Sequence, residues 1–232
     1  MSAMPRYDAV ILAGGRSARL GGTPKALLLA DGRTLLETTL AAARGARHTA
    51  VAGPPELAPL LAAASGADGQ GTPLLVREEP AFAGPAAAVG TAVSALAALE
   101  SSTQSSRRDS AGSGNADPRA GNCPWTLVLA CDMPQVADAV RVLLAAAAMA
   151  PAESLVAVDS TGNRQPLAAL YRTSDLRAAV ASVASSGLAN KPMKALLARV
   201  QWRGVDVPPG STADVDTWND AQSLGVSAGD LP

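Results

Sequence analysis

The sequence predicts a three-layer α/β/α domain, Rossmann-like, on a mostly parallel sheet. Short apolar runs alternate with helix-length segments in βαβα order, the pattern of a parallel sheet covered on both faces. The first run, Tyr7-Asp8-Ala9-Val10-Ile11-Leu12-Ala13, stops at Gly14-Gly15, as a buried strand feeding a loop does. Of 232 residues, 48% are hydrophobic and 17% charged, so the chain has the apolar content of a folded core. This length suits one α/β domain, and residues 1–232 are read as one.

The elements follow in order. Thr34 precedes Leu35-Leu36-Glu37, an N-cap with Glu37 at capping-box spacing, and the helix runs to about residue 44, with Gly45 beyond it. Residues 49–53 are a second strand, Pro54-Pro55 opens a helix to about 64, and residues 74–77 are a third strand. Residues 85–100 form a helix of small side chains. Residues 101–122 change character: Ser, Gly, Asp and Arg dominate, and almost nothing there can offset ordering entropy. That segment is expected to be a flexible insertion. Residues 125–130 are a fourth strand, followed by a helix near 136–150. Strands are expected near 155–158, 167–171 and 202–207, and helices near 174–185, 191–199 and 217–224.

Composition excludes several functions. With 19 Lys+Arg against 20 Asp+Glu, no net positive field exists to hold a nucleic acid backbone. One Phe, two Tyr and three Trp provide few stacking platforms for nucleic acid. Cys123 and Cys131 flank a strand, so about 25 Å separates them and no disulfide is expected. A single histidine, His48, excludes a His-Cys zinc site. No leader-like or membrane-length apolar run is present, so the chain reads as a cytoplasmic protein without a membrane partner.

In such sheets ligands bind beyond the carboxyl ends of the strands. There the sequence places Gly14-Gly15-Arg16-Ser17-Ala18-Arg19-Leu20-Gly21-Gly22-Thr23-Pro24-Lys25. Glycines let backbone N–H groups wrap an anion, and Arg19 and Lys25 add fixed positive charge for phosphate oxygens. The plain alternative is a surface loop with solvated charges. Asp132 follows the fourth strand, where a carboxylate can hold Mg²⁺ against phosphates; its alternative is a cap for the next helix.

The glycine loop resembles the signature loop of molybdenum cofactor guanylyltransferases, the MobA-like nucleotidyltransferase family. The resemblance continues in order through Glu78-Glu79-Pro80 with Gly84-Pro85, through Cys131-Asp132-Met133-Pro134, and through Asp214-Val215-Asp216-Thr217. It implies a nucleotide-diphospho-sugar transferase-like fold. It also implies transfer of GMP from GTP to the phosphate of molybdopterin, with loss of pyrophosphate. Leu12 and Ala13 would meet the base through backbone groups, and Gly14, Gly15, Gly53, Glu79 and Gly84 would line the nucleotide. Arg19, Lys25 and Asp132 would be catalytic, with Asp132 the principal ligand for Mg²⁺, or Mn²⁺ in its place. Asp216 would be a second ligand or touch the pterin, with a turn or N-cap role as the competing view; for Gly84 that view is a plain helix start. A molybdoenzyme or a cofactor-delivery protein would be the partner.

Three positions depart from the family pattern: Glu79 where Asp is usual, Gln165-Pro166 for a His-Pro, and Gly53 where some members carry Asn. Two other functions stay open: cytidylyl or sugar-1-phosphate transfer on the same fold, and a non-catalytic nucleotide- or cofactor-binding delivery protein. Asn190-Lys191-Pro192-Met193-Lys194 is either an exposed helix start or a contact for an anionic second substrate.

Overall fold

The computed structural model of the protein describes residues 4–64, 71–109, 123–149, 151–184 and 187–229. In chain order its elements are β1 (Tyr7–Leu12), β2 (Leu29–Ala30), β3 (Arg33–Thr34), α1 (Leu35–Ala42), β4 (Thr49–Ala52), α2 (Ala58–Ala63), β5 (Leu74–Val76), α3 (Pro85–Asp109), β6 (Trp125–Ala130), α4 (Val136–Ala147), β7 (Ser154–Val158), β8 (Arg164–Arg172), α5 (Thr173–Ala184), α6 (Met193–Leu196), β9 (Trp202–Asp206), α7 (Trp218–Ser223) and β10 (Val226–Ser227).

Seven strands form one sheet in the order β5-β4-β1-β6-β8-β7-β9. All run parallel except β8, which is antiparallel to both neighbours. A short hairpin suffices for the reversal, because antiparallel neighbours need no crossover. Asp159 makes that turn, its Oδ1 accepting the backbone N–H groups of Thr161 and Asn163.

Every residue of β1 is buried, and its side chains alternate between two cores. Ala9 and Ile11 pack with α1, α2 and α4, while Val10 and Leu12 pack with α3, α5 and α6. Burial on both faces makes the central strand apolar from Ala9 to Leu12, with buried Asp8 the one charged exception. The capping box on α1 forms as its sequence predicts: Thr34 Oγ1 accepts the Glu37 N–H and Glu37 accepts the Thr34 N–H.

Two features differ from the expectations. Helix α3 runs to Asp109, so 101–109 continue a helix instead of opening a flexible insertion. The hydroxyls of Ser101 and Ser102 donate to the Ala97 and Leu99 carbonyls, so these serines are satisfied inside the helix. Residues 110–122 lie outside the described residues. A second sheet, β10-β2-β3, has strands of two residues each, too short for periodicity to reveal. It packs with a third apolar cluster, Leu20, Leu28, Leu35, Val215, Ala221 and Val226, which ties the glycine loop to the segment around Asp216.

At the amino end of the sheet, Arg47 binds buried Asp8 through two nitrogens, at 3.1 and 2.8 Å, and also pairs with Glu100, which in turn holds Arg177. Among the described residues, no helix is long and apolar enough to cross a membrane.

Candidate active site

The loops after β1, β4, β5 and β6 gather at the carboxyl edge of the sheet. The Ala13 N–H donates to the Ala52 carbonyl, and the Cys131 N–H donates to that of Leu12, so both sheet neighbours hold the root of the glycine loop. The chain then turns through Gly15 at φ +138° and Ser17 at φ +44°, and Ser17 accepts the N–H groups of Leu20 and Gly22. Leu20 anchors the loop in the third cluster. A 3-10 turn beginning at Lys25 then directs its side chain toward the end of β6.

The Lys25 ammonium sits 2.8 Å from Asp132 Oδ2 and 2.5 Å from Asp216 Oδ1. Arg19, largely exposed, approaches Asp216 at 3.6 Å. The Val215 N–H donates to the Asp132 carbonyl at 2.9 Å, so the two acidic segments are joined through backbone. Val215 points into the third cluster, and Asp214 and Asp216 flank it.

These bonds separate the competing roles of the two carboxylates. Helix α7 is capped by Thr217 and Asp220, which leaves the Asp216 carboxylate to the site. Helix α4 has no side-chain cap bond, and Asp132 turns to Lys25 instead. Oxygens of Asp132, Asp214 and Asp216 all lie within 4.8 Å of one another. Such a hard-oxygen set can hold a divalent cation.

Electrostatics agree with that donor set. Partial desolvation of a residue that stays solvent-exposed, then Asp132 and Asp216, raise the Asp214 carboxyl above its ordinary range. Burial works against the charge of Lys25, but Asp132 and Asp216 outweigh it and hold the ammonium above its usual value. Both thiols are pushed up, chiefly by burial: Cys123 to about 12, and Cys131 strongly, with Asp132 adding to the effect. Neither is a nucleophile at neutral pH. His48 lies beside Asp8 at the opposite edge.

A cavity of about 490 Å³ opens beside Lys25. Ala13, Gly14, Gly15, Lys25 and Gly53 line it, in the segments that follow β1 and β4. A side chain at Gly53 would meet Leu57 at 2.8 Å and the Ala13 carbonyl at 3.4 Å, so its backbone must pack closely. Leu12 is buried and does not line the cavity. Glu79 and Gly84 do not line the cavity; Glu78 does, and it is buried. Gly84 packs instead near Asn190 and Lys191, and the Asn190 N–H donates to the Ala83 carbonyl. This brings the 190–194 segment to the start of α3. Gln165 donates to Asp159 within the β7–β8 turn. Sequence reasoning missed Asp214, Glu78 and Phe82 as site residues; for Asp214 the Asp-Val-Asp spacing around a buried valine was the available signal.

The MobA-like NTP transferase domain family matches residues 9–202 of this chain. Three solved structures are similar to nearly its whole length. Molybdopterin-guanine dinucleotide biosynthesis protein A from Archaeoglobus fulgidus has a TM-score of 0.62 at 16% identity, covering 94% of this chain and 96% of that one. The 4-diphosphocytidyl-2C-methyl-D-erythritol synthase from Anaerococcus prevotii has a TM-score of 0.59 at 13% identity, over 95% and 94%. Rv0371c from Mycobacterium tuberculosis, in complex with manganese, has a TM-score of 0.53 at 23% identity, over 96% and 98%. At these identities the likeness is one of fold, which is nucleotide-diphospho-sugar transferase-like. No curated protein matches the chain in sequence.

Proposed function

The chain belongs to the MobA-like NTP transferase domain family as a nucleotidyltransferase, and from that premise we propose that it moves GMP from GTP to the phosphate of molybdopterin. Pyrophosphate leaves, and the product is molybdopterin guanine dinucleotide. The observation that carries the reading is Lys25, held between Asp132 and Asp216 and lining a glycine-walled cavity.

The acceptor phosphate is already an anion, so the reaction needs positioning and charge neutralisation more than a general base. This fits a site whose nearby thiol, Cys131, is raised and from which His48 is remote. The glycine loop offers backbone N–H groups to the triphosphate, and Lys25 and Arg19 bring positive charge to it. Asp132, Asp214 and Asp216 would hold Mg²⁺, or Mn²⁺ in its place. When bound, the cation supplies further neutralisation of phosphate charge.

Guanine is favoured by Glu78. A buried carboxylate on the cavity wall can accept two parallel N–H bonds, and guanine presents such a pair at N1 and N2, whereas cytosine and adenine present one amino group. The test is pyrophosphate release from GTP with the pterin acceptor, in wild type and Asp132→Asn. Acceptor-dependent release, lowered about 100-fold or more in the variant, is expected. Affinity for GTP without any release would make the protein a delivery protein instead.

A further inference from the structure

Phe82 is the one phenylalanine of the chain, and it is 49% exposed in a protein that buries most of its large apolar side chains. It lies on the wall of the 490 Å³ cavity with Gly14, Gly15 and Gly53. Its backbone is left-handed, at φ +60°, a conformation that costs a bulky residue energy and that recurs at ligand clamps. The neighbouring residues hold it there: Ala83 is buried, and its carbonyl accepts the Asn190 N–H at 2.6 Å. The Arg16 guanidinium lies 5.3 Å from the centre of the ring, a cation–π contact reaching across from the glycine loop. A strained backbone, a half-exposed ring and a cation against it together describe a flat apolar surface kept ready at the cavity wall.

We propose that Phe82 is the stacking surface for the nucleobase, with Arg16 steadying the ring. The proposal rests on the nucleotide reading of the cavity. The lining offers both chemistries a nucleotide needs: Lys25, bonded outside the cavity to Asp132, brings charge for phosphates, and Ala13, Leu57 and Phe82 provide apolar wall for a base. Stacking holds any base, because every base has a π-face. Phe82 therefore supplies affinity, and choice among bases is left to the hydrogen-bonding groups beside it.

Calorimetric titration of wild type, Phe82→Ala, Phe82→Gly, Phe82→Leu and Phe82→Trp with GTP and with inorganic tripolyphosphate, at constant Mg²⁺, tests the proposal. Phe82→Ala is expected to weaken GTP about 10-fold and to leave tripolyphosphate within about 2-fold. Phe82→Gly relaxes the backbone and should show the same loss, which separates stacking from strain. Phe82→Leu should be intermediate, and Phe82→Trp should bind GTP at least as well as wild type. Phe82 is half-exposed, so these variants remove no core. Unchanged GTP binding in Phe82→Ala, equal losses for both ligands, or full binding by Phe82→Leu would overturn the stacking role. A wild type that binds tripolyphosphate no more weakly than GTP, or binds neither, would overturn the nucleotide reading itself and the stacking role with it.

Discussion

Replacing Asp214 with asparagine should make the metal-free protein more stable and remove most of its response to divalent cations. Asp214 brings a third carboxylate within 4.8 Å of Asp132 and Asp216. Two unit charges at that distance repel by about 0.9 kcal/mol in water and by about 1.7 kcal/mol if the effective dielectric is halved. Asp214 is exposed, so the lower figure applies to each pair, and attraction to Lys25 offsets part of the sum. A net gain of about 0.5–1.5 kcal/mol remains, or about 1–5 °C in the unfolding midpoint of a domain this size. The pH dependence has a definite sign. A carboxyl raised in the folded state costs stability as pH climbs from its ordinary value of 3.8 through the raised one, and the cost persists above. The gain from Asp214→Asn is therefore present at neutral pH and fades below about pH 4. The assay is thermal unfolding in chelator at both pH values, then with Mn²⁺. A variant less stable than wild type at neutral pH without metal would refute the repulsion argument. Equal stabilisation of both proteins by Mn²⁺ would refute the assignment of Asp214 to the cation.

Lys25→Met should lower turnover about 100- to 1000-fold in a pyrophosphate-release assay. Because Lys25 is raised, its contribution in wild type stays whole below pH 10.5 and is lost only as pH rises beyond that, so alkaline unfolding of the variant should lack this step. Glu78→Gln should weaken GTP about 10- to 100-fold and should weaken inosine triphosphate less, since inosine lacks the N2 amino group; equal losses would remove Glu78 from base recognition. Arg47→Ala leaves Asp8, 1% exposed, and buried Glu100 without a shared cation, and should cost about 3–5 kcal/mol in denaturant unfolding with GTP affinity unchanged. A loss under about 1 kcal/mol would make that network incidental.

The sheet was legible because β1 is apolar on both faces from Ala9 to Leu12 and because its neighbours recur at βα spacing. The cap at Thr34 was legible because a hydroxyl with an acidic residue three positions on is a local signal; the last helix is capped by Thr217 with Asp220 and not by Asp216, the alternative the sequence offered. The reach of α3 was hidden by a serine-rich composition, since hydroxyls that bond back into a helix look in sequence like loop polarity. The two-residue strands carried no period at all. In the site, Lys25 and Asp132 stood out because they follow strands at the edge where ligands bind. The choice between Glu78 and Glu79 was not open to sequence reasoning. Past the end of β5 the chain leaves strand geometry, and only the path of the loop decides which carboxylate meets the cavity. The same holds for Phe82, whose left-handed backbone has no signature in its residue type.

Nucleotide selectivity tests the guanylyl assignment most directly. Calorimetry with GTP, CTP, ATP and UTP, each with and without Mg²⁺, measures it on the unmodified protein. GTP is expected to bind most tightly, and its binding is expected to depend on Mg²⁺. Preference for CTP would contradict the guanylyl assignment and move the chain to cytidylyl transfer, and binding of no nucleotide would contradict the assignment of the cavity altogether.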